Sequence, residues 1–184
     1  MEQTDEMIAQ LVQKGDIELF GVLIDRYEKR LAGYLKRFLR ERTDITDIVQ
    51  DIFIKAYTNI QSFDTTQQFS SWIYRIAHNE AVNFIKKKRS LSFSFFDPDY
   101  LINYFKDKDN VGENIERIEV KKEIEQALDD IPSHHKEILL LFFYEELSYK
   151  EISDVLKIPI SSVGVKINRA KKVVEDILSK KQTI

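Results

Sequence analysis

The stretch ITDIVQDIFIKAYTNI, residues 45–60, constrains the fold more than any other. Ile45, Ile48, Val49, Ile52, Phe53, Ala56, Tyr57 and Ile60 recur in alternating steps of three and one. That period matches one face of an α-helix and no strand. The remaining face carries Asp47, Gln50, Asp51 and Ile54, an acidic patch with one aliphatic side chain that the stripe does not use. Five Gly and three Pro among 184 residues leave few tight turns, so the whole chain reads as helical.

The same reading extends to both sides. Phe20, Leu23, Ile24, Tyr27, Leu31, Tyr34, Leu35 and Phe38 keep helical spacing after a break at Gly15-Asp16, with Asp16 expected as an N-cap. A polar loop, QSFDTTQQ (61–68), precedes FSSWIYRIAHNEAVNFIKKKRS (69–90). There Phe69, Trp72, Ile73, Ile76, Ala77, Phe84 and Ile85 form an inner stripe, and Arg75, Asn79, Asn83 and Lys86 or Lys87 lie a turn apart on another face. Residues 91–116 lose periodicity and read as an acidic, aromatic linker. Helices are expected again at 118–130, 134–145, 148–156 and 161–179, with Ser148 and Glu151 as a capping box. The expected domains are 1–90 and 117–184 around the linker 91–116, each with its own core.

Cysteine is absent, which excludes disulfides and thiolate chemistry and suits a reducing cytoplasm. MEQTDEMIAQ is acidic and opens no secretory signal, and no run of roughly 20 apolar residues offers a membrane span. His78, His134 and His135 are the only histidines, and they lack metalloprotease spacing. No Gly-rich phosphate loop is present, so neither an enzyme, a metal nor a cofactor is expected. The net charge of −3 conceals a segregation. Residues 69–90 carry five Lys/Arg against one acid and residues 157–181 seven against two, whereas residues 97–130 carry eleven acids against five bases. Such local fields, not the total, steer a polyanion.

LSYKEISDVLKIPISSVGVKINRAKKVV (147–174) is a short helix, a brief break and a basic helix with a shared core of Ile152, Val155, Leu156, Ile158, Val163, Ile167 and Ala170. This is a helix-turn-helix pattern, in which the second helix enters the major groove. Ser161, Ser162 and Lys166 are candidates for base edges, and Arg169, Lys171 and Lys172 for phosphate. An ordinary helical hairpin or a stand-alone helix-turn-helix regulator would explain this part and leave residues 44–90 unused.

Taken in order, KGDIELFGVLIDRYEKRLAGYL, DITDIVQDIFIKAYTNI, FSSWIYRIAHNEAVNFIKKKRS and ALDDIPSHHKEILLLFFYEELSYKEISDVLKIPISSVGVKINRAKKVV resemble an extracytoplasmic-function sigma factor over nearly the whole chain. The resemblance implies an all-α, two-domain initiation factor whose partners are core RNA polymerase, promoter DNA and, in some cases, an anti-sigma factor. It implies that Asp47, Gln50, Asp51 and Ile54 dock on the polymerase clamp. It also implies that residues 61–90 hold the −10 element as one strand leaves the duplex. Trp72, Arg75, Asn79 and Asn83 would meet exposed bases, and Lys86 to Arg89 would track the backbone, the pairing that unstacked DNA needs. The second basic helix would read the −35 element. The acidic linker would follow the RNA exit path. Departures are Pro159, Ser161-Ser162 and Gly164 in the helix-turn-helix and Asn83 in place of an acid. A further expectation from the charge pattern is that the two modules pack together in the free protein and mask their DNA contacts.

Overall fold

The computed structural model describes residues 3–39, 45–91, 127–128 and 130–181. The expected linker beyond residue 91 lies outside the described residues, as does the helix expected at 118–130 apart from residues 127, 128 and 130. Among the described residues the α-helices, in order, are α1 Asp5–Gln13, α2 Phe20–Leu39, α3 Ile45–Thr58, α4 Phe69–Leu91, α5 Ser133–Leu139, α6 Tyr149–Leu156 and α7 Ile160–Lys181. No strand occurs among the described residues.

Helices α1 to α4 form the first module. Thr4 caps α1, its hydroxyl accepting from the Met7 N–H. Gly15, at φ 111, ends that turn in a region L side chains rarely adopt. Asp16 precedes a 3-10 turn, Ile17–Leu19, and its side chain makes no cap bond, contrary to expectation. The α2 and α3 stripes are buried as their spacing requires. Ile24 and Ile45 are half-buried, and Tyr57 is exposed at 43 %, its ring in a T-shaped contact with Phe20. Polar ties hold the loop before α4: Gln13 Nε2 donates to the Ile60 and Phe63 carbonyls at 2.7 and 2.8 Å, and Glu6 Oε1 accepts from the Phe69 N–H at 2.9 Å. These fix where α4 begins.

Helices α5 to α7 form the second module. The helix expected over 134–145 stops at Leu139 and widens into a π-helical turn, Leu140–Tyr144. That turn points Phe143 and Tyr144 outward and leaves Glu145 buried. The capping box at α6 forms in full. Lys157 ends α6 in the left-handed region, the Ser153 hydroxyl donates to the Ile158 carbonyl at 2.7 Å, and α7 starts after Pro159. Ile152, Val155, Val163, Ile167 and Ala170 are buried between α6 and α7; Leu156 and Ile158 are half-buried.

The two modules do not keep separate cores. One apolar cluster runs from Ile8 through Tyr34, Ile73 and Ala77 to Leu140, Ile152 and Ala170. Its cause is the close packing of α6 along α4, with α5 and the π-turn against α2.

Candidate nucleic-acid interface

Three surfaces carry the residues singled out by sequence. On α3, Asp47, Gln50, Asp51 and Ile54 are all exposed, Ile54 at 59 %. Gln50 and Ile54 border a shallow groove of about 360 Å³ between α2 and α3, floored by Ile24, Ala32, Val49 and Phe53. An aliphatic side chain beside carboxylates at a groove suits a basic partner helix with an apolar stripe.

On α4, Asn79, Asn83, Lys86 and Lys87 are exposed and Arg75 is half-buried. Trp72 is buried, packed on Phe63 at 5.0 Å and Phe69 at 5.5 Å, yet it contributes to the lining of a cleft of about 280 Å³. That cleft also takes in Asn79, Asn59, Ser62, Ile76 and the Lys55–Glu80 ion pair at 2.6 Å. The structure thus brings Trp72 and Asn79 to one cleft and leaves Arg75 outside its lining. In the loop before α4, Asp64 Oδ1 accepts from the Thr66 N–H and hydroxyl, which holds this exposed carboxyl below its usual range.

On α7, Ser161, Lys166, Arg169 and Lys172 are exposed and Ser162 is half-buried. Ser162, Lys166, Arg169 and Lys172 step by four, three and three on the side away from Val163, Ile167 and Ala170. Lys171 is half-buried, and its Nζ lies over the Phe143 ring at 4.9 Å. His135, at the start of α5, borders the basic stripe. Burial, His134, Lys166 and Arg169 all push its imidazole below the usual value. Sequence spacing did not place it there. Gly164 faces α6, where a Cβ would come 3.2 Å from a Tyr149 ring carbon, so the missing side chain lets the two helices approach.

Known proteins share this sequence pattern and fold. The model of Sigma-70 region 2 matches residues 23–91 and that of Sigma-70 region 4 matches 121–174. The ECF RNA polymerase sigma-E factor of Haemophilus influenzae is 32 % identical over 179 residues, 94 % of each chain. The chain belongs to the ECF RNA polymerase sigma factor family. A second relative, the ECF sigma factor SigW of Bacillus subtilis, is 30 % identical over 88 % of this sigma factor and 89 % of its own length. Among solved structures, the sigma factor RpoE of Bartonella quintana, determined with the anti-sigma factor NepR, has the same fold (TM-score 0.71, 18 % identity, 87 % of this chain and 96 % of that one). So does CnrH, determined with the cytosolic domain of CnrY (0.70, 23 %, 97 % and 99 %). The sigma factor therefore acts in promoter recognition and transcription initiation with core RNA polymerase, as a non-enzymatic factor. No helix among the described residues is long and apolar enough to cross a membrane.

The residues that join the modules went unread in the sequence. Ser70, Tyr74 and His78 sit one turn apart on α4, and each bonds a carboxylate of the second module: Glu151, Glu145 and Glu137. From α2, the Tyr34 hydroxyl donates to Glu137 Oε1 at 2.6 Å, and Arg30 reaches Glu145 by Nε–Oε2 at 3.4 Å and by Nη2 to its carbonyl at 3.1 Å. Burial pushes the Glu145 carboxyl above its usual range, against the pull of Tyr74 and Arg30. The bond to Glu137 raises His78. Burial also acts upward on Glu151, but the bonds from Ser70 and Ser148 outweigh it and hold that carboxyl low. The i, i+4, i+8 spacing of Ser70, Tyr74 and His78 was the available signal; nothing local named their partners.

Proposed function

We propose that this sigma factor divides promoter opening among the three surfaces, with domain borders near 1–90, 91–116 and 117–184. Asp47, Gln50, Asp51 and Ile54 dock core polymerase. Trp72, Arg75, Asn79 and Asn83 receive bases of the −10 element, and Lys86 and Lys87 neutralise the adjacent phosphates. Ser161, Ser162, Lys166, Arg169 and Lys172 engage the −35 element. The assignment requires no cofactor or metal, and it places the protein in the cytoplasm with the polymerase. An anti-sigma factor is a fitting further partner, since RpoE was determined with the anti-sigma factor NepR.

The observation that carries the reading is the cleft at α4. An exposed amide, Asn79, shares a cleft with a buried indole, Trp72, and with Asn59 and Ser62, and Lys86 and Lys87 are exposed further along the helix. Amide and hydroxyl groups supply hydrogen bonds to an unpaired base edge, the indole an apolar wall, and the ammonium groups a path for the backbone. Permanganate footprinting with core polymerase tests it. Asn79→Ala should reduce strand opening by about tenfold, the loss of one to two hydrogen bonds, while duplex binding by the holoenzyme changes little. Normal opening by Asn79→Ala would remove this helix from base recognition.

A further inference from the structure

The exposed face of α7 holds an apolar side chain at its centre. Val165 is 50 % exposed; among the described residues of α7 only Ile160, at the helix start, is another exposed large apolar residue. At about 3.6 residues per turn, Val163, Ile167 and Ala170 define the buried side, and Val165 falls opposite their midpoint. Ser161 and Asn168 flank it on one side and Ser162 and Arg169 on the other; all but the half-buried Ser162 are exposed. Asn79, Asn83, Lys86 and Lys87 on α4 are exposed as well, although the modules share one core. Packing of the modules therefore does not mask these DNA contacts, contrary to expectation.

Helix stability does not explain a valine in this place. A β-branched side chain loses rotamer freedom in a helix, and an exposed position recovers none of it by burial. Small side chains build the same turns, Ser161, Ser162, Gly164 and Val165, and the long cations Lys166, Arg169 and Lys172 begin only after them. A helix end with small side chains can approach base edges closely, while long cations reach the flanking phosphates. A single exposed valine is ordinary on a solvated helix. At the centre of a basic, small-residue face it has a chemical counterpart: in the major groove thymine presents its C5-methyl, and adenine a donor and acceptor that an asparagine amide matches. Val165 and Asn168 are neighbours on the helix surface at i and i+3, close enough to meet adjacent base edges.

We infer that Val165 packs on a thymine methyl of the −35 element and that Asn168 pairs with an adenine beside it. The two residues thereby select A·T at that step, on a face whose other groups are hydroxyls and cations. The inference deepens the −35 reading above and rests on it.

Deoxyuridine isolates the methyl, because it keeps the base pair and the charge of thymidine. The probe is a promoter duplex that the parent holoenzyme selects from a library randomised across the −35 region. It is remade with each −35 thymine, on either strand, replaced singly by deoxyuridine. At fixed salt one replacement should weaken the parent about fourfold, the effect of one methyl group returned to water. Val165→Ala holoenzyme should bind the thymidine and deoxyuridine duplexes equally. At the neighbouring adenine, 7-deazaadenine, which lacks the N7 acceptor, should weaken the parent about fivefold, one hydrogen bond, and leave Asn168→Ala indifferent. Both positions are exposed and alanine is the best helix former, so both variants should fold. A selected element without an A·T pair, a parent insensitive to every deoxyuridine, or sensitivity retained by Val165→Ala would overturn the valine contact. Unchanged 7-deazaadenine sensitivity in Asn168→Ala would overturn the asparagine contact. Lys166→Ala with Arg169→Ala separates this from the underlying reading. Full affinity and the same selected sequence in that variant would remove α7 from the −35 element, and both readings fall. Lost affinity there, with deoxyuridine without effect on the parent, would leave the −35 assignment standing and overturn the methyl contact alone.

Discussion

Replacing Arg30 by methionine separates charge from packing at the module junction. The native guanidinium lies 5.3 Å from the centre of the Tyr27 ring and 5.8 Å from that of Tyr74, and a methionine keeps much of that apolar contact. What it removes is the cation beside a carboxylate that is only 5 % exposed, together with a donor to the Glu145 carbonyl. A hydrogen bond to a charged group contributes about 1.5–3 kcal/mol, and the 44 % exposure of the Arg30 side chain screens the pair toward the lower bound. The expected loss is about 1.5 kcal/mol at pH 7, or roughly 3–6 °C in Tm for a chain of this size. The pH dependence carries the sharper test. Glu145 is already raised by burial, and Arg30 is among the groups that lower it, so the variant carboxyl titrates higher still. A carboxylate raised in the folded state costs stability above its folded pKa, and that cost disappears as pH falls through it. The deficit of the variant should therefore be greatest above both folded values and shrink as pH falls between the variant and parent values. Differential scanning calorimetry from pH 5 to 8 measures it. A constant deficit would show that Arg30 acts through packing alone, and no deficit would show that the ion pair is energetically idle.

Asp47→Arg with Asp51→Arg should weaken core-polymerase binding at least about tenfold, read by anisotropy, while unfolding free energy stays within about 0.5 kcal/mol, since both side chains are exposed; full affinity in the folded variant would refute the docking face. Lys86→Ala with Lys87→Ala should lower affinity across promoters and make the plot of log K against log salt shallower by about one unit per lost contact; an unchanged slope would remove these lysines from the phosphate track. Gly164→Ala should raise Tm by up to about 2–4 °C, because helix propensity gains about 1 kcal/mol and the half-exposed Tyr149 ring can yield the few tenths of an ångström required; a fall in Tm would show that Tyr149 is held rigidly.

Periodicity was enough to place the helices, because a buried stripe must repeat every 3.6 residues wherever its partner lies. The stripe of α3, the capping box of α6, the break at Pro159 and the exposed face of Asp47, Asp51 and Ile54 were all legible on that ground. Surface candidates such as Asn79 and Lys166 were legible for the same reason: they lie off the stripe. Trp72 was harder, since one large ring can fill a core and line a cleft at once. Two features were settled only by tertiary packing. The π-turn at Leu140–Tyr144 interrupts an apolar run whose period does not announce it, and it turns Glu145 inward. The joining of two modules into one core depends on partners 59 to 115 residues apart in sequence, His78 with Glu137 and Arg30 with Glu145 at the extremes. Local pattern dictates which side chains leave solvent on each helix. Which carboxylate meets which hydroxyl is decided by the docking of one module on the other, a long-range choice that no segment encodes alone.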